Sequence, residues 1–295
     1  MSAAANNNHT EIVSHGSAVS PRIHETNVSP SPNRARLTDF HSSDRITGMR
    51  RRFISIGFLI LLVVCWELLS AGIGKPYILP SPSAVLGSLW ENRREIFFTH
   101  LPATFTVVAA GGILAVLLGA LFAVAMDWSP WLMQALYPIL TVTQTIPVMC
   151  LAPVLVLWFG YTVRMRVIVV ILVNFFTVTV DLSDGFRATR EDRAELLCTF
   201  GADRLQEFWL LRMPTALPNL FTALKISVPW SVIGAAVAEW LGAPAGLGMY
   251  SRSCMMNLDA AGLLAPLMVL TALALFMNGI LGLIEMRLMR WKGNL

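Results

Sequence analysis

Charged side chains are scarce in this chain: Asp, Glu, Lys and Arg make up 14% of 295 residues, where soluble domains run nearer a quarter. With 55% hydrophobic residues and a mean hydropathy of +0.62, so little charge cannot cover a water-facing surface, which points to a bilayer as solvent. Cysteine is also sparse. Cys65, Cys150, Cys198 and Cys254 lie far apart with no C-x-x-C pair, which argues for packing thiols and against a zinc site or disulfide framework. No G-x-x-x-x-G-K-[ST] occurs, so the chain has no P-loop with which to hydrolyse ATP by itself. No expected span contains a histidine, and His9, His15, His24 and His41 are scattered without ligand spacing. Neither a metal site nor a catalytic residue is expected, since no Ser/His or paired-carboxylate pattern marks an intramembrane enzyme.

What remains is long apolar runs separated by polar connections. Residues 1–48, rich in Ser, Asn, Arg and Pro, bury too little to order themselves and read as a disordered tail. The first apolar run begins too late for a signal peptide. Six segments long enough to span follow, near 53–73, 103–126, 135–159, 165–183, 219–240 and 262–284. The expected fold is all-α: a polytopic membrane domain of about six helices over 49–295. The third segment holds Pro147 and Pro153, whose missing donors predict a kink or break.

The net charge of +4 would suit a nucleic-acid ligand, but the basic residues flank apolar runs, as in membrane topology, so no nucleic acid is expected. One set of loops and the tail carries fifteen Lys and Arg, the other set six, which places both termini in the cytoplasm. Outside, Leu79-Pro80-Ser81-Pro82-Ser83 leads into Leu86, Leu89 and Trp90, read as an extended segment feeding a short surface helix. Residues 241–261, with Gly242, Gly246 and Gly248, read as a turning loop.

The connection 184–218 is too long and too patterned for a mere linker. Thr189 reads as a cap, with acidic residues following in a first turn. Ala194, Leu197 and Cys198 recur at helical spacing, and Gly201 suits a left-handed helix end. Asp203 and Gln206 have capping-box spacing, and Leu205, Phe208 and Trp209 are expected on one face. Pro214 and Pro218 are expected to close the second helix. The whole reads as a cytoplasmic helix–turn–helix plate with an exposed apolar stripe in want of a partner.

The run from Glu195 to Pro214, ELLCTFGADRLQEFWLLRMP, resembles the cytoplasmic signature of binding-protein-dependent ABC transporter permeases. Glu195 and Gly201 hold the signature Glu and Gly; Leu211 stands for its Ile and Met213 for its Leu before Pro214, while Leu196 and Leu197 replace two alanines. Thr143 to Gly160, Ile78 to Leu86 and Ala238 to Arg252 are similar to the branch for nitrate, sulfonates, taurine and thiamine-precursor pyrimidines. The resemblance covers roughly residues 50–293. It implies the MetI-like permease fold, a dimer of permease copies in the inner membrane, and an external substrate-binding protein. It also implies ATPase subunits that carry the ATP and magnesium and receive the cytoplasmic loop, so no cofactor is expected on this chain. The coupling residues are then Glu195, Phe200, Gly201, Ala202, Leu211 and Pro214. An intramembrane enzyme or a nucleotide-independent channel is the alternative class.

Polar groups within the spans are candidates for the substrate pathway. These are Gln144 and Pro147, with Asn174, Trp230 and Glu239. For Glu239 a second reading stands beside the first: an interfacial carboxylate with Trp240 as aromatic anchor. Glu67, beside Trp66, reads as lying near the outer boundary.

Overall fold

The computed structural model describes residues 54–189 and 191–289; the tail 1–48 and Arg190, Arg290 and Lys292 lie outside them. The chain divides into two units, 1–61 and 62–295. The described part of the first, residues 54–61, is helical. Among the described residues there is no strand. Among them, five helices are long and apolar enough to cross a membrane: α1 (Ile54–Ile73), α3 (Arg93–Trp128), α6 (Val163–Arg187), α8 (Arg204–Trp240) and α10 (Ala260–Leu288).

The expected third span is broken in two, α4 (Pro130–Thr143) and α5 (Val148–Phe159). Neither piece reaches the roughly 20 residues a straight crossing needs. The break falls at Gln144–Pro147, because Pro147 has no N–H to carry the helical ladder across.

Three shorter helices complete the fold: α2 (Pro82–Glu91), α7 (Glu191–Thr199) and α9 (Leu247–Met256). The expected short helix α2 forms but starts within the segment read as extended, with Pro82 in its first turn and the Ser81 hydroxyl accepting from Ala84 N at 3.2 Å. Three side chains of α1 hold the segment before it. Trp66 donates to Pro80 O at 3.1 Å, Ser70 donates to Leu79 O at 2.8 Å, and Glu67 accepts from Ser83 N and Oγ.

Small residues set the closest packing. Gly111, Ala115, Gly119 and Ala123 recur every fourth position of α3, all buried, and form a groove along one face. Helix α6 lies in it so closely that a Cβ at Gly111 would meet Val170 Cβ at 2.6 Å, and one at Gly119 would meet Val178 Cγ1 at 2.8 Å. In a bilayer this backbone approach and its dispersion contacts take over the role of the hydrophobic effect. On the other side of α6, Gly185 meets Ala216 of α8, and Asn174 Nδ2 donates to Ser231 Oγ at 2.9 Å. Lys225 of α8 pairs with Glu285 of α10.

Two features of the helix pattern differ from expectation. Pro214 and Pro218 do not end a helix; both lie inside α8. A π turn over Phe208–Arg212 precedes Pro214 by two residues, just as a π turn over Ile96–His100 precedes Pro102 in α3. The wider turn relieves the clash that a proline ring otherwise makes with the carbonyl four residues back. The second difference is that 241–261 is more than a turn, since it contains α9, entered through Gly242 and Gly246, both at φ 144.

Candidate functional site

The plate is built as its capping chemistry dictates. After α7, Gly201 N donates to Cys198 O at 2.9 Å and Ala202 N to Leu197 O at 3.1 Å, a complete Schellman motif, with Gly201 at φ +79. The next helix begins with the reciprocal capping box. Gln206 N donates to Asp203 Oδ1 at 2.7 Å, and Asp203 N to Gln206 Oε1 at 3.0 Å. Thr189, expected as a cap, makes no side-chain hydrogen bond.

Two apolar faces result. Phe200 (81% exposed), Leu196, Leu205, Trp209 and Leu210 stand out from the protein, and Glu195 is exposed beside them. Phe208, expected with Leu205 and Trp209, instead points inward. It is buried against Ala123, Leu182, Phe186 and Ala216, and its ring meets Trp128 edge-on at 6.1 Å. The extra residue of the π turn shifts the register here, so Phe208 faces inward while Trp209, whose ring still meets it at 5.5 Å, faces out. Leu211 and Pro214 are half-buried at the root of the plate.

Two arginines fasten this plate to α3, a tie no local pattern reveals. Arg204 Nη2 donates to the terminal carbonyl of Trp128 at 2.6 Å. Arg212 lies between two carboxylates, with Nη1 to Asp127 Oδ1 at 2.6 Å and Nε to Glu207 Oε1 at 2.8 Å. Cations at the C-terminal end of α3 also complement its helix dipole.

The broken span makes the second element. Gln144 and Pro147 from the break, Leu172, Phe176 and Thr177 from α6 and Trp230 from α8 line a pocket of about 360 Å³. Three of the five pathway candidates therefore come together. Among the described residues, no Lys, Arg, Asp or Glu lines this pocket. Its polar groups are the Gln144 amide, the Thr177 hydroxyl and the ends of two short helices, while Trp230 and Phe176 offer ring faces.

Asn174 and Glu239 do not line it. Asn174 is buried in the α6–α8 contact, donating to Val170 O and Ser231 Oγ. Glu239 is fully buried at the far end of the bundle from the plate. There the first N–H groups of α9 are taken by three side chains from other helices. Gly246 N donates to His100 Nδ1 at 3.1 Å, Leu247 N to Thr104 Oγ1 at 2.8 Å, and Gly248 N to Glu239 Oε2 at 2.8 Å. A buried helix start with no cap of its own is thereby satisfied. Gly246 is required twice over: by its φ, and because a Cβ there would run into the Glu239 carboxyl group. Arg166, one of the six basic residues of the second set of connections, is buried in α6 and donates to Ala245 O at 3.3 Å. The sequence signal for this hub was the i, i+4 spacing of His100 and Thr104, which gave no hint of its partners.

Long apolar helices, one of them broken around a pocket, and a polar-rooted plate at one end define a multi-pass membrane transport subunit. The profile of the family described as "Binding-protein-dependent transport system inner membrane component" matches residues 115–290, and the chain belongs to that family. It is an ABC transporter permease subunit, not an enzyme. It is 42% identical over 235 residues to a formylaminopyrimidine transport permease protein of Halalkalibacterium halodurans, covering 80% of this chain and 94% of that one. It is 30% identical over 254 residues to a taurine transport system permease protein of Escherichia coli, covering 83% and 92%. A solved structure titled as an amino acid ABC transporter with histidines shares the fold, with a TM-score of 0.54 and 16% identity over 68% of this chain and 97% of that one.

Proposed function

We propose that this chain is the membrane-spanning subunit of an ATP-driven importer whose cargo is a small uncharged heterocycle of the aminopyrimidine kind. One observation carries the choice of cargo: the pocket at the helix break has aromatic and hydrogen-bonding walls and, among the described residues, no charged side chain. A sulfonate or nitrate brought into a dry pocket needs a cation or a dense set of donors. A neutral ring with amino and carbonyl edges is matched instead by the Gln144 amide, the Thr177 hydroxyl and the two helix ends at the break. The similarity to a formylaminopyrimidine permease points the same way. One feature favours a sulfonate-type cargo, the start of α5 with no side-chain cap, since helix starts attract anions. The opposed dipole of α4, ending at the same break, offsets it.

In this reading the chain sits in the bacterial inner membrane with both termini inside and pairs with a second permease copy. The exposed face of Phe200, Leu205 and Trp209 seats in an ATPase subunit that holds the ATP and magnesium. A substrate-binding protein docks at the opposite end, near α2 and α9. The plate moves with the ATPase, and through Arg204 and Arg212 it carries α3 with it. Rigid coupling of this kind is what allows a remote nucleotide to reorient helices.

The test is purification through a C-terminal tag in mild detergent, with identification of the co-purifying chains. A P-loop ATPase is expected, lost on Glu195→Arg. A binding protein captured with it is expected to take up aminopyrimidines and not taurine. A lone chain under several gentle conditions contradicts the reading.

A further inference from the structure

At the plate end of the bundle, α3, α4 and α6 enclose a second pocket, of about 390 Å³, that the transport reading does not use. Its polar wall is formed by Asp127, Gln134, Tyr137, Ser183 and Arg187. The acceptors there are already engaged. Asp127 takes Arg212 Nη1 at 2.6 Å, and the Tyr137 hydroxyl donates to Asp184 at 2.9 Å. Two of the donors are unengaged, and the third, Arg187, is shared only with Tyr137. Ser183 is 2% exposed, and its hydroxyl has no partner, not even the carbonyl one helical turn back. Among the described residues, Gln134 makes no side-chain hydrogen bond and Arg187 makes no ion pair. The Arg187 guanidinium lies 5.3 Å over the Tyr137 ring.

A pocket whose one lining carboxylate, Asp127, is paired with Arg212, and whose donors are an arginine, a buried hydroxyl and an amide, is complementary to an oxyanion. Guanidinium binds tetrahedral oxyanions through paired N–H groups, and a buried unpartnered hydroxyl gains most when an acceptor reaches it. Met126, Met133, Pro130 and Pro138 give the rest of the pocket an apolar lining that suits an organic substituent. We propose that this pocket binds a phosphate group, carried either by a small soluble phosphate ester or by a phospholipid headgroup. The occupant joins Ser183 and Arg187 of α6 to Gln134 of α4, directly behind the Asp127–Arg212 tie. Occupancy thus stiffens the joint through which the plate moves α3. The binding claim is independent of the cargo and of the ATPase.

The experiment uses the full chain, stripped of lipid in detergent and placed in nanodiscs of phosphatidylcholine alone or with phosphatidylglycerol. Binding of radiolabelled inorganic phosphate and retention of phosphatidylglycerol are measured for wild type, Arg187→Gln, Arg187→Lys and Ser183→Ala. For a soluble ester, inorganic phosphate binds saturably in phosphatidylcholine. Arg187→Gln then weakens it by about tenfold or more, Ser183→Ala by about threefold, and Arg187→Lys falls between wild type and Arg187→Gln. For a headgroup, phosphatidylglycerol is retained through lipid stripping by wild type and not by Arg187→Gln, while free phosphate binds only weakly. Melting curves identify any variant that misfolds, and Ser183→Ala, the smallest change, is expected to melt as wild type. Binding of neither probe, or binding that ignores both Arg187 and Ser183, overturns the proposal.

Discussion

Arg212 and Asp127, 85 residues apart in sequence, form a 2.6 Å ion pair that joins the root of the plate to the end of α3. Asp127 is 9% exposed and Arg212 33%, so the pair is partly desolvated and its loss leaves a charge without its partner. Arg212→Gln is expected to remove about 1.5–3 kcal/mol of stabilisation at this joint. ATP hydrolysis should persist while substrate import falls by an order of magnitude or more. Import and hydrolysis measured together in proteoliposomes check this, and an unchanged import-to-hydrolysis ratio contradicts it.

Gly201 has open space where a Cβ would go, so its requirement is conformational and not steric. At φ +79 a β-branched side chain is strained by about 1–2 kcal/mol, whereas asparagine tolerates the region. Gly201→Val should uncouple hydrolysis from transport and Gly201→Asn should not. Wild-type substrate-stimulated hydrolysis in Gly201→Val would show that the turn is dispensable.

Gly246 and Gly279 give opposite expectations for the same change. Gly246→Ala places a methyl group in the Glu239 carboxyl group at a left-handed φ and should lower folded yield and the melting temperature sharply. Gly279, on α10, meets nothing within 4 Å, and Gly279→Ala should be neutral or stabilise by up to about 1 kcal/mol. Thr104→Val removes one capping acceptor of α9, at about 1 kcal/mol. Thermal unfolding of the purified chain in detergent orders the three; Gly246→Ala melting with wild type would remove the hub from the account.

Trp230 is half exposed and lines the pocket at the helix break, in keeping with a ring that meets cargo. Trp230→Ala is expected to weaken import of a heterocycle by about tenfold, on the scale of a lost base–aromatic stack, with little change in the melting temperature. Gln144→Ala should act in the same direction by less. Concentration dependence of uptake distinguishes these from a folding defect.

Much of this architecture was legible from local chemistry. Pro147 marked the break, Gly201 the left-handed turn, and Asp203 with Gln206 the capping box, because each depends on residues a few positions away. Pro214 misled, since the π turn that absorbs it is invisible in a pattern of apolar spacing, and the same turn sets Phe208 facing inward while Leu205 and Trp209 face out. Glu239 was legible as unusual but not as a cap, because its partners lie on the start of α9. The bonds from His100 and Thr104 to that start join residues 146 and 143 positions apart. Such contacts follow from how the helices pack and leave no periodic trace.

The most direct test of the whole account is uptake into proteoliposomes holding the complete transporter, with ATP inside and binding protein outside. Radiolabelled aminopyrimidine and radiolabelled taurine are offered in parallel. ATP-dependent accumulation of the pyrimidine, abolished or strongly reduced by Trp230→Ala and by Arg212→Gln, is the predicted result. Uptake of taurine in its place would contradict the uncharged-pocket reading, and uptake without ATP would contradict the coupling plate itself.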